Sequence, residues 1–365
     1  MKTLQKQNVL MFVRTMGLGG TENVVLQLCE ILNTHVNKVV VCSCGGVNEK
    51  RLQAMGIKHY IIPDIEKKDL ITIIRTLRQL NNIINNEKIT TVHVHHRMAA
   101  FYISLLKIRD HHLSFFATAH NTFMDKIRFT RFAYRNAVVI ACGEEVKDNL
   151  VKHYHLPDDK VVVIHNAVKP YEEPIKVDSR LEKLKKDGYI LVGNIGRLSE
   201  QKGMGYFIDS YDIARKKVKK LKYIIVGQGE NEQSLKNMVK EQNNQENILF
   251  WGYRSDIQNI MAQMDYIVLS SLWEGLPLTP IEAFSVHKPV IGTAVDGTKE
   301  IIQNEENGFL INPRAPQEIA EKVVKLALEK DLREEMGKNA YTTYKEKFDF
   351  NVFRLNILDF YESKI

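Results

Sequence analysis

Short apolar runs alternate with longer amphipathic segments along nearly the whole chain. The runs are rich in valine and isoleucine, which favours β-strands, and the segments between them have the length and mixed polarity of helices. Strands that are apolar on both faces are typical of parallel sheets covered by helices on each side. The predicted strands are NVLMFV, KVVVCS, TVHVHH, SFFATAH, AVVIACG and KVVVIHNAV, followed by YILVGNIG, KYIIVGQG, NILFWG, YIVLSS, PVIGTAV and GFLI.

The strands fall into two series, which predicts an α/β fold with two doubly wound, Rossmann-like domains facing across a cleft. A chain of 365 residues also exceeds the size at which a single core stops growing. We predict a first domain over 1–170, a polar linker over 171–188, a second domain over 189–350, and a helix over 351–365 that packs back on the first domain. Ligands of such sheets bind beyond the carboxyl ends of the strands, so candidate chemistry is expected there.

Positive charge is concentrated in the first half of the chain. Residues 1–170 contain 23 Lys and Arg against 14 Asp and Glu, whereas the remaining residues contain 28 against 30. This excess favours a negatively charged partner, such as an anionic membrane surface or a phosphorylated acceptor, while a generic solubilising surface is the equally simple alternative. The sequence contains no recognisable nucleic-acid-binding module, so no nucleic-acid partner is expected.

The hydropathy pattern and the cysteines indicate a cytoplasmic protein. No apolar run approaches the roughly 18 residues of a membrane span, and the N-terminal VLMFV is too short for the core of a signal peptide. The four cysteines form neither a CxxC pair nor a zinc-ligand spacing. They are predicted to be reduced, packed thiols.

Two glutamates in the stretch SSLWEGLPLTPIEAF are the first candidates for chemistry. Pro277 and Pro280 prevent one continuous helix, so Glu274 is predicted to lie on a loop beyond a strand and Glu282 in the first turn of a helix. Thr279 and Glu282 also fit a capping box, which is the purely structural alternative for Glu282. A helix that starts just beyond a strand offers free N–H groups to a phosphate.

Basic and glycine-rich loops follow other predicted strands. In NIGRLSEQKG, Arg197 and Lys202 come after a strand that ends at Gly196, and this pair suits a phosphate, although an isolated basic pair is commonly only solvated. The loop MGLGGTEN permits close backbone approach to an anion. It lacks the dinucleotide fingerprint and the P-loop pattern, so NAD binding and P-loop phosphoryl transfer are not supported. VGQG is a similarly weak glycine turn.

Taken together, these motifs resemble retaining nucleotide-sugar glycosyltransferases of family 4, which have the two-domain GT-B fold, and in particular bacterial capsule and exopolysaccharide enzymes. The resemblance covers nearly the whole chain and rests on GGTE, HN, IHNAV, GRLSEQKG, VGQG, FWGYRSD, EGLPLTPIE and NGFLI. It implies transfer of a hexose from a nucleotide diphosphate sugar, with UDP as the expected nucleotide, to a lipid-linked or glycan acceptor in bacterial surface polysaccharide synthesis.

The resemblance also implies roles for the site residues. Arg197 and Lys202 would neutralise the departing diphosphate, which stabilises charge that develops in the transition state. Glu274 would bind the transferred sugar and face the developing oxocarbenium ion, and Glu282 would bind the nucleotide ribose. The further donor-binding positions are Gly20, Gly196, Tyr253, Gly275, Leu278 and Thr279.

The resemblance implies neither a metal nor a cofactor, because arginine, lysine and helix N-termini take the place of Mg²⁺ at the diphosphate. Retention of configuration would follow from front-side attack, in which the leaving phosphate oxygen takes the acceptor's proton. A covalent intermediate on Glu274 is the less favoured route. The alternatives are a nucleotide-sugar epimerase or a phosphorylase of the same fold, or a non-catalytic nucleotide-sugar-binding subunit.

Histidines end two of the predicted strands. His120 ends SFFATAH and is a predicted catalytic residue that contacts the donor sugar or the acceptor; Asn121 follows it where the family often has aspartate. In HVHH, the alternation of a strand places His93 and His95 on one face and His96 on the other. This pattern favours a strand end near the acceptor over a metal site.

The acceptor side is predicted in FMDKIRFTRFAYR. On a helical wheel Arg128, Arg131 and Arg135 fall within about 60° of one another. With the basic first half, they suggest a segment that rests on anionic lipid at the inner face of the cell membrane, where a lipid-linked acceptor is found. A solvated basic face is the alternative.

Overall fold

Two parallel sheets, one in each compact unit, organise the protein in a computed structural model that describes residues 4–67, 69–107 and 113–365. The first unit comprises Met1–Asn166 together with Phe353–Ile365, and the second comprises Ala167–Val352. Both sheets have helices between successive strands, which confirms the predicted fold class of two doubly wound, Rossmann-like domains.

The first sheet has seven strands in the order β3-β2-β1-β4-β5-β6-β7, and each adjacent pair is parallel. Nearly every residue of its central strands is buried, as their continuous apolar sequences require. The strands are β1 (Asn8–Phe12), β2 (Lys38–Ser43), β3 (Lys58–Ile61), β4 (Thr91–Val94), β5 (Ser114–Ala119), β6 (Val138–Ala141) and β7 (Val161–Val163). The helices are α1 (Gly20–Asn33), α2 (Glu49–Ala54), α3 (Leu70–Asn86), α4 (Arg97–Lys107), α5 (Ile127–Tyr134) and α6 (Glu144–Asp148).

The second sheet has six strands in the order β10-β9-β8-β11-β12-β13, again parallel. Its core includes Phe207 stacked on Tyr223, with ring centroids 4.0 Å apart. The strands are β8 (Ile190–Ile195), β9 (Leu221–Val226), β10 (Ile248–Phe250), β11 (Tyr266–Leu269), β12 (Val290–Thr293) and β13 (Gly308–Ile311). The helices are α7 (Ser179–Lys186), α8 (Met204–Ala214), α9 (Glu232–Glu241), α10 (Ile257–Ala262), α11 (Leu278–Phe284), α12 (Thr298–Ile301), α13 (Pro316–Leu328) and α14 (Lys330–Thr343).

The segment predicted as a linker, 171–188, is more ordered than its composition suggests. It contains α7, whose N-cap Asp178 accepts a hydrogen bond from the Arg180 amide, and whose Leu181 is fully buried in the second unit. A capped helix with one buried apolar side chain explains how so polar a sequence is held in place.

The last helix, α15 (Phe350–Lys364), supplies its C-terminal part to the first unit. Phe360 and Tyr361 both pack edge-on against Phe116 of β5, with centroids 4.9 and 5.1 Å away. The Tyr361 hydroxyl also lies 2.7 Å from Nδ1 of His93 in β4. Aromatic packing and a buried polar contact therefore attach the end of the chain to the first sheet.

Candidate functional site

The candidate residues of the second unit gather where its strand order reverses. The chain proceeds from β8 outward to β9 on one side and from β11 outward to β12 on the other. The loops that leave the carboxyl ends of β8 and β11 meet there, and this switch point is the crevice in which doubly wound sheets usually bind their ligands. The β8 loop carries Arg197 and Lys202, and the β11 loop carries Glu274.

Lys202 and Glu274 form a largely buried ion pair in this crevice. The Lys202 Nζ lies 2.6 Å from Glu274 Oε1, and the two side chains are 16% and 6% exposed. The Ser271 hydroxyl donates to the same oxygen, also at 2.6 Å. Two charge-assisted hydrogen bonds offset the loss of hydration that an ionised carboxylate suffers on burial.

The Glu274 backbone is fixed from β12. The Glu274 amide donates to Asp296 Oδ2 at 3.0 Å, and the Gly297 amide donates to the Gly275 carbonyl at 2.9 Å. A side chain at Gly297 would meet that carbonyl, because an added Cβ lies only 2.1 Å from its oxygen. The close approach of these two loops thus requires glycine at 297.

Arg197 differs from Lys202 in being exposed. Within the described residues its guanidinium has no hydrogen-bonded or ionic partner, whereas its loop is held through backbone bonds: the Gly196 amide donates to Val226 and the Leu198 amide to Gln228, both at 3.0 Å. A rigid loop that presents an unpaired guanidinium at a crevice is suited to a multiply charged anion.

Glu282 lies in α11 without the predicted capping role. The helix begins at Leu278 with Pro277 as N-cap, and the Thr279 hydroxyl donates instead to the Ile195 carbonyl at 3.4 Å. The capping-box prediction is wrong, because the free carbonyl at the end of β8 takes the hydroxyl that a cap would use. Within the described residues the Glu282 carboxyl has no hydrogen-bond partner.

Burial raises the pKa of Glu282 to about 7, and the charge of Lys202 acts in the opposite direction. A part-buried carboxyl group with a raised pKa and no protein partner is typical of a ligand-binding position rather than of a structural one.

The other predicted donor-site positions have the following places. Gly196 joins β8 to the Arg197 loop, Gly275 follows Glu274, and Leu278 opens α11. Tyr253, 49% exposed, lies on the loop after β10, where the Gly252 carbonyl accepts from the Gly227 amide at 2.8 Å. The structure therefore brings together, in one unit, all the predicted donor-binding positions except Gly20.

Gly20 and His120 belong to the first unit. Gly20 is the exposed first residue of α1, after the loop that leaves β1. His120 follows β5 and lines a cavity of about 550 Å³ whose walls come from the ends of β4 and β5 and from α3, α4 and α5. The cavity has aromatic walls, with Phe101, Phe129 and Tyr154, and its lining also includes Lys126 and Arg97, which is paired with Asp125 at 2.8 Å.

The HVHH histidines lie partly in this cavity. The His93 and His95 rings stack with centroids 4.6 Å apart, which confirms that they share one face of the strand. His93 bonds Tyr361 and Thr118, each at 2.7 Å, and His95 contacts His120. In the described part of the chain no group of three His, Cys, Asp or Glu side chains is arranged to hold a metal ion.

The basic acceptor-side segment forms α5. Arg128 and Arg131 are exposed on this helix, and Arg135 is exposed just after its end with its guanidinium 4.4 Å from the Phe132 ring centroid. Phe129 and Phe132 pack on Phe101 of α4. Arg135 thus stacks on an aromatic side chain of the same segment, and Arg128 and Arg131 form the exposed basic face of α5.

Three groups of the site escaped sequence reasoning. Asp296 and Gly297 lie in AVDGTKE, where a strand end followed by Asp-Gly was the available signal. Ser271 lies within SSLWEGLPLTPIEAF, but a serine hydroxyl has no spacing signature that marks it as part of a site. The VGQG turn, interpreted as uninformative, packs on the Arg197 loop: a Cβ on Gly227 would lie 1.9 Å from the Gly196 carbonyl oxygen.

Two family models together match most of the chain. Residues 18–171 match the model described as Glycosyltransferase Family 4, and residues 176–343 match the model described as Glycosyl transferases group 1. The UDP-Gal:alpha-D-GlcNAc-diphosphoundecaprenol alpha-1,3-galactosyltransferase of Escherichia coli is 29% identical over 315 residues, which are 80% of this chain and 81% of that protein. The capsular polysaccharide biosynthesis glycosyltransferase CapM of Staphylococcus aureus is 27% identical over 224 residues, 59% of this chain and 58% of that protein.

Solved structures show the same fold. Anabaena Alr3699/HepE in complex with UDP superposes with a TM-score of 0.82 at 18% identity, covering 98% of this chain and all of that one (100%). The chain is a glycosyltransferase of the GT-B fold, with a family 4-like first domain and a group 1 second domain.

Proposed function

We propose that the protein transfers a hexose from a UDP-sugar, with retention of configuration, to a lipid-linked glycan in bacterial surface polysaccharide synthesis. The proposal is carried by four side chains that lie together where the strand order reverses. These are the unpaired guanidinium of Arg197, the ion pair of Lys202 with Glu274, and the carboxyl of Glu282, which has no partner among the described residues. A nucleotide diphosphate sugar presents two phosphates, a sugar and a ribose, and these four groups match that set chemically.

The donor diphosphate would bind Arg197 and Lys202. Arg197 can reach it without first breaking any protein contact, while Lys202 would share its ammonium between the phosphate and Glu274. The cost of bringing the diphosphate's charge into a crevice is offset by two cations already in place, so the proposed reaction needs no divalent metal. Equal rates in EDTA and in added Mg²⁺ are expected.

The sugar would lie against Glu274. One of its carboxylate oxygens accepts from Lys202 and Ser271, and within the described residues no hydrogen bond reaches the other. That second oxygen would accept a sugar hydroxyl and face the positive charge that develops at the anomeric carbon. Glu282, which has no protein partner, would accept from the ribose hydroxyls.

Transfer would break the bond between the anomeric carbon and the β-phosphate oxygen and form one to the acceptor oxygen on the same face. The acceptor's proton would pass to the departing phosphate oxygen, so no protein group is needed as the base. The uridine assignment is supported by the donor in the name of the Escherichia coli relative and by UDP in the Anabaena structure.

The acceptor is proposed to be attached to a lipid. The name of the Escherichia coli relative specifies a diphosphoundecaprenol acceptor. The cavity beside His120 has the aromatic walls that a sugar would contact and, in Lys126 and Arg97, basic side chains that a lipid diphosphate would contact. No helix in the described part of this chain has the length and apolarity to span a bilayer.

One exposed face of α3 in the first unit supports peripheral binding to an anionic membrane. Leu70 and Ile71 of α3 are 71% and 70% exposed, and Arg75 and Arg78 lie on the same arc of that helix. Ile73 of α3 lines the cavity. Lys126, just before α5, and Phe129, within α5, line it as well. Exposed apolar side chains interleaved with arginines suit the headgroup region of the inner leaflet.

The experiment is nucleotide release from a panel of UDP-, GDP- and ADP-sugars, with and without a polyprenyl-linked acceptor extract. Release from a UDP-sugar that rises sharply with the extract is expected. Conversion of a donor without any acceptor would favour an epimerase. Tight nucleotide binding with no release from any donor would favour a non-catalytic subunit, and release from only a GDP- or ADP-sugar would overturn the uridine assignment.

A further inference from the structure

His95 and His120 are linked at the polar end of the first unit's cavity. Nδ1 of His95 lies 3.2 Å from Nε2 of His120, and both rings line the cavity. They are joined because β4 and β5 are adjacent parallel strands, in register from Thr91 beside Ser114 to Val94 beside Ala117. The residues just beyond these strands therefore meet at one sheet edge.

The ring of His95 is held in a fixed orientation. It is 2% exposed and lies between two other imidazoles, with His93 stacked at 4.6 Å and His120 at 5.5 Å between centroids. His93 is itself fixed by hydrogen bonds at both ring nitrogens, to Tyr361 and Thr118. Burial lowers the pKa of His95, and it lowers that of His120 to about 4, so each imidazole is neutral at neutral pH.

A hydrogen bond between two neutral imidazoles needs one N–H, and the other nitrogen of His95 decides which ring supplies it. Nε2 of His95 is buried without a partner in the described part of the chain. If His120 were the donor, His95 would carry its proton on this Nε2, leaving a buried N–H unpaired. If His95 donates through Nδ1, only a lone pair is left there, and native proteins tolerate an unpaired acceptor better than an unpaired N–H.

The tautomer of His95 also decides which ring nitrogen of His120 carries the proton. Because its Nε2 accepts from His95, its own proton is on Nδ1. Within the described residues no protein group accepts from that Nδ1, and the His120 side chain is part-exposed at the cavity. The Nδ1–H is then available to an oxygen atom of a bound molecule.

We propose that His95 is a positioning residue that fixes His120 in the tautomer with its proton on Nδ1, so that His120 donates a hydrogen bond to a substrate oxygen in this cavity. The tautomer follows from the contacts of this unit alone. The identity of the accepting oxygen, a sugar hydroxyl or phosphate oxygen of the reacting substrates, rests on the proposed function.

The direct test is the tautomer itself. Long-range ¹H–¹⁵N spectra of the full-length protein with labelled histidine distinguish Nδ1–H from Nε2–H, and His120→Asn assigns the signals. We expect His120 to carry Nδ1–H in the unchanged protein and in His95→Asn, whose amide can donate from the position of the imidazole Nδ1. In His95→Leu, which cannot donate, we expect His120 to change to Nε2–H. An Nε2–H tautomer in the unchanged protein would overturn the proposal.

Kinetics separate positioning from a merely structural role. We expect kcat to fall about tenfold in His95→Leu, the effect of one hydrogen bond, with little change in the donor KM and with recovery in His95→Asn. His95→Leu should add nothing further in a His120→Asn background, since His95 acts through His120. Additive losses would overturn the positioning role. If the unchanged protein proved inactive with every donor, the proposed function would fail while the spectra still decided the tautomer.

Discussion

Replacement of Glu274 by glutamine tests the assignment of the sugar-facing carboxylate, because it removes the charge and keeps the shape. The glutamine oxygen can still accept from Lys202 and Ser271, which now lie 2.6 Å from Oε1. Lys202 is 16% exposed and can recover hydration once its partner is neutral. The free energy of unfolding should therefore fall by only about 1–3 kcal/mol, below the ~3–5 kcal/mol seen when a buried pair loses one side chain.

The catalytic loss from Glu274→Gln should be larger than the stability loss. A carboxylate about 4 Å from a developing unit charge contributes about 4 kcal/mol at an effective dielectric constant of 20, which corresponds to roughly a 10³-fold change in rate. The assay is UDP release with saturating donor and acceptor, beside urea unfolding of the same samples. Glu200→Gln is the matched control, since Glu200 is an exposed carboxylate on the neighbouring β8 loop.

The control should unfold and turn over like the unchanged protein. Rates for Glu274→Gln within tenfold of the unchanged protein, in a folded sample, would refute the assignment of this carboxylate to the reacting sugar. A rate loss accompanied by global unfolding would instead show that the ion pair is chiefly structural.

Three further predictions test other parts of the account. Gly227→Ala should destabilise the protein by about 2–4 kcal/mol in urea unfolding, because its φ of +141° and a contact of 1.9 Å exclude a Cβ. Gly205→Ala, whose Cβ would meet only Met238 Sδ at 3.8 Å, should change stability by less than about 1 kcal/mol. Hydrogen bonds from Lys38 and Lys58 lower the pKa of Glu87 from 4.5 to about 2. The contribution of Glu87 to the free energy of unfolding is therefore complete above pH 4.5 and is lost as the pH falls towards 2. Glu87→Gln should lack this part of the pH dependence when unfolding is measured between about pH 2 and pH 5. Ile71→Glu should weaken sedimentation with anionic liposomes, while Ile61→Glu, a change at a 58% exposed isoleucine on β3, should not.

The fold was predictable because its signal is repeated in twelve of the thirteen strands that the structure describes; β3, which has no buried residue, was not among the predicted strands. Continuous runs such as YIVL and KVVVCS are apolar on both faces, and few structures other than a covered parallel sheet bury them completely. The positions of Arg197, Lys202 and Glu274 at strand ends followed from the same pattern, since a loop that leaves a parallel strand opens at its carboxyl edge.

The contacts within the site were not predictable, because they join residues far apart in the sequence. Nothing local to Thr279 shows that the carbonyl of Ile195 competes for its hydroxyl, so the capping box was an incorrect inference from a correct local pattern. The support of Glu274 by Asp296, and the pairing of His95 with His120, likewise depend on which strands are neighbours. Single-sequence periodicity indicates the existence of strands, and their order in the sheet comes only from the structure.

The most direct test of the central claim is a crystal structure of the protein with UDP. The account predicts that the diphosphate lies at the carboxyl ends of β8 and β11, with its oxygens within hydrogen-bonding distance of Arg197 and Lys202 and with the ribose hydroxyls on Glu282. Crystals of Arg197→Ala prepared in the same way should show lower UDP occupancy at the same UDP concentration. UDP bound elsewhere, or bound at this crevice without contact to either cation, would contradict the proposed donor site.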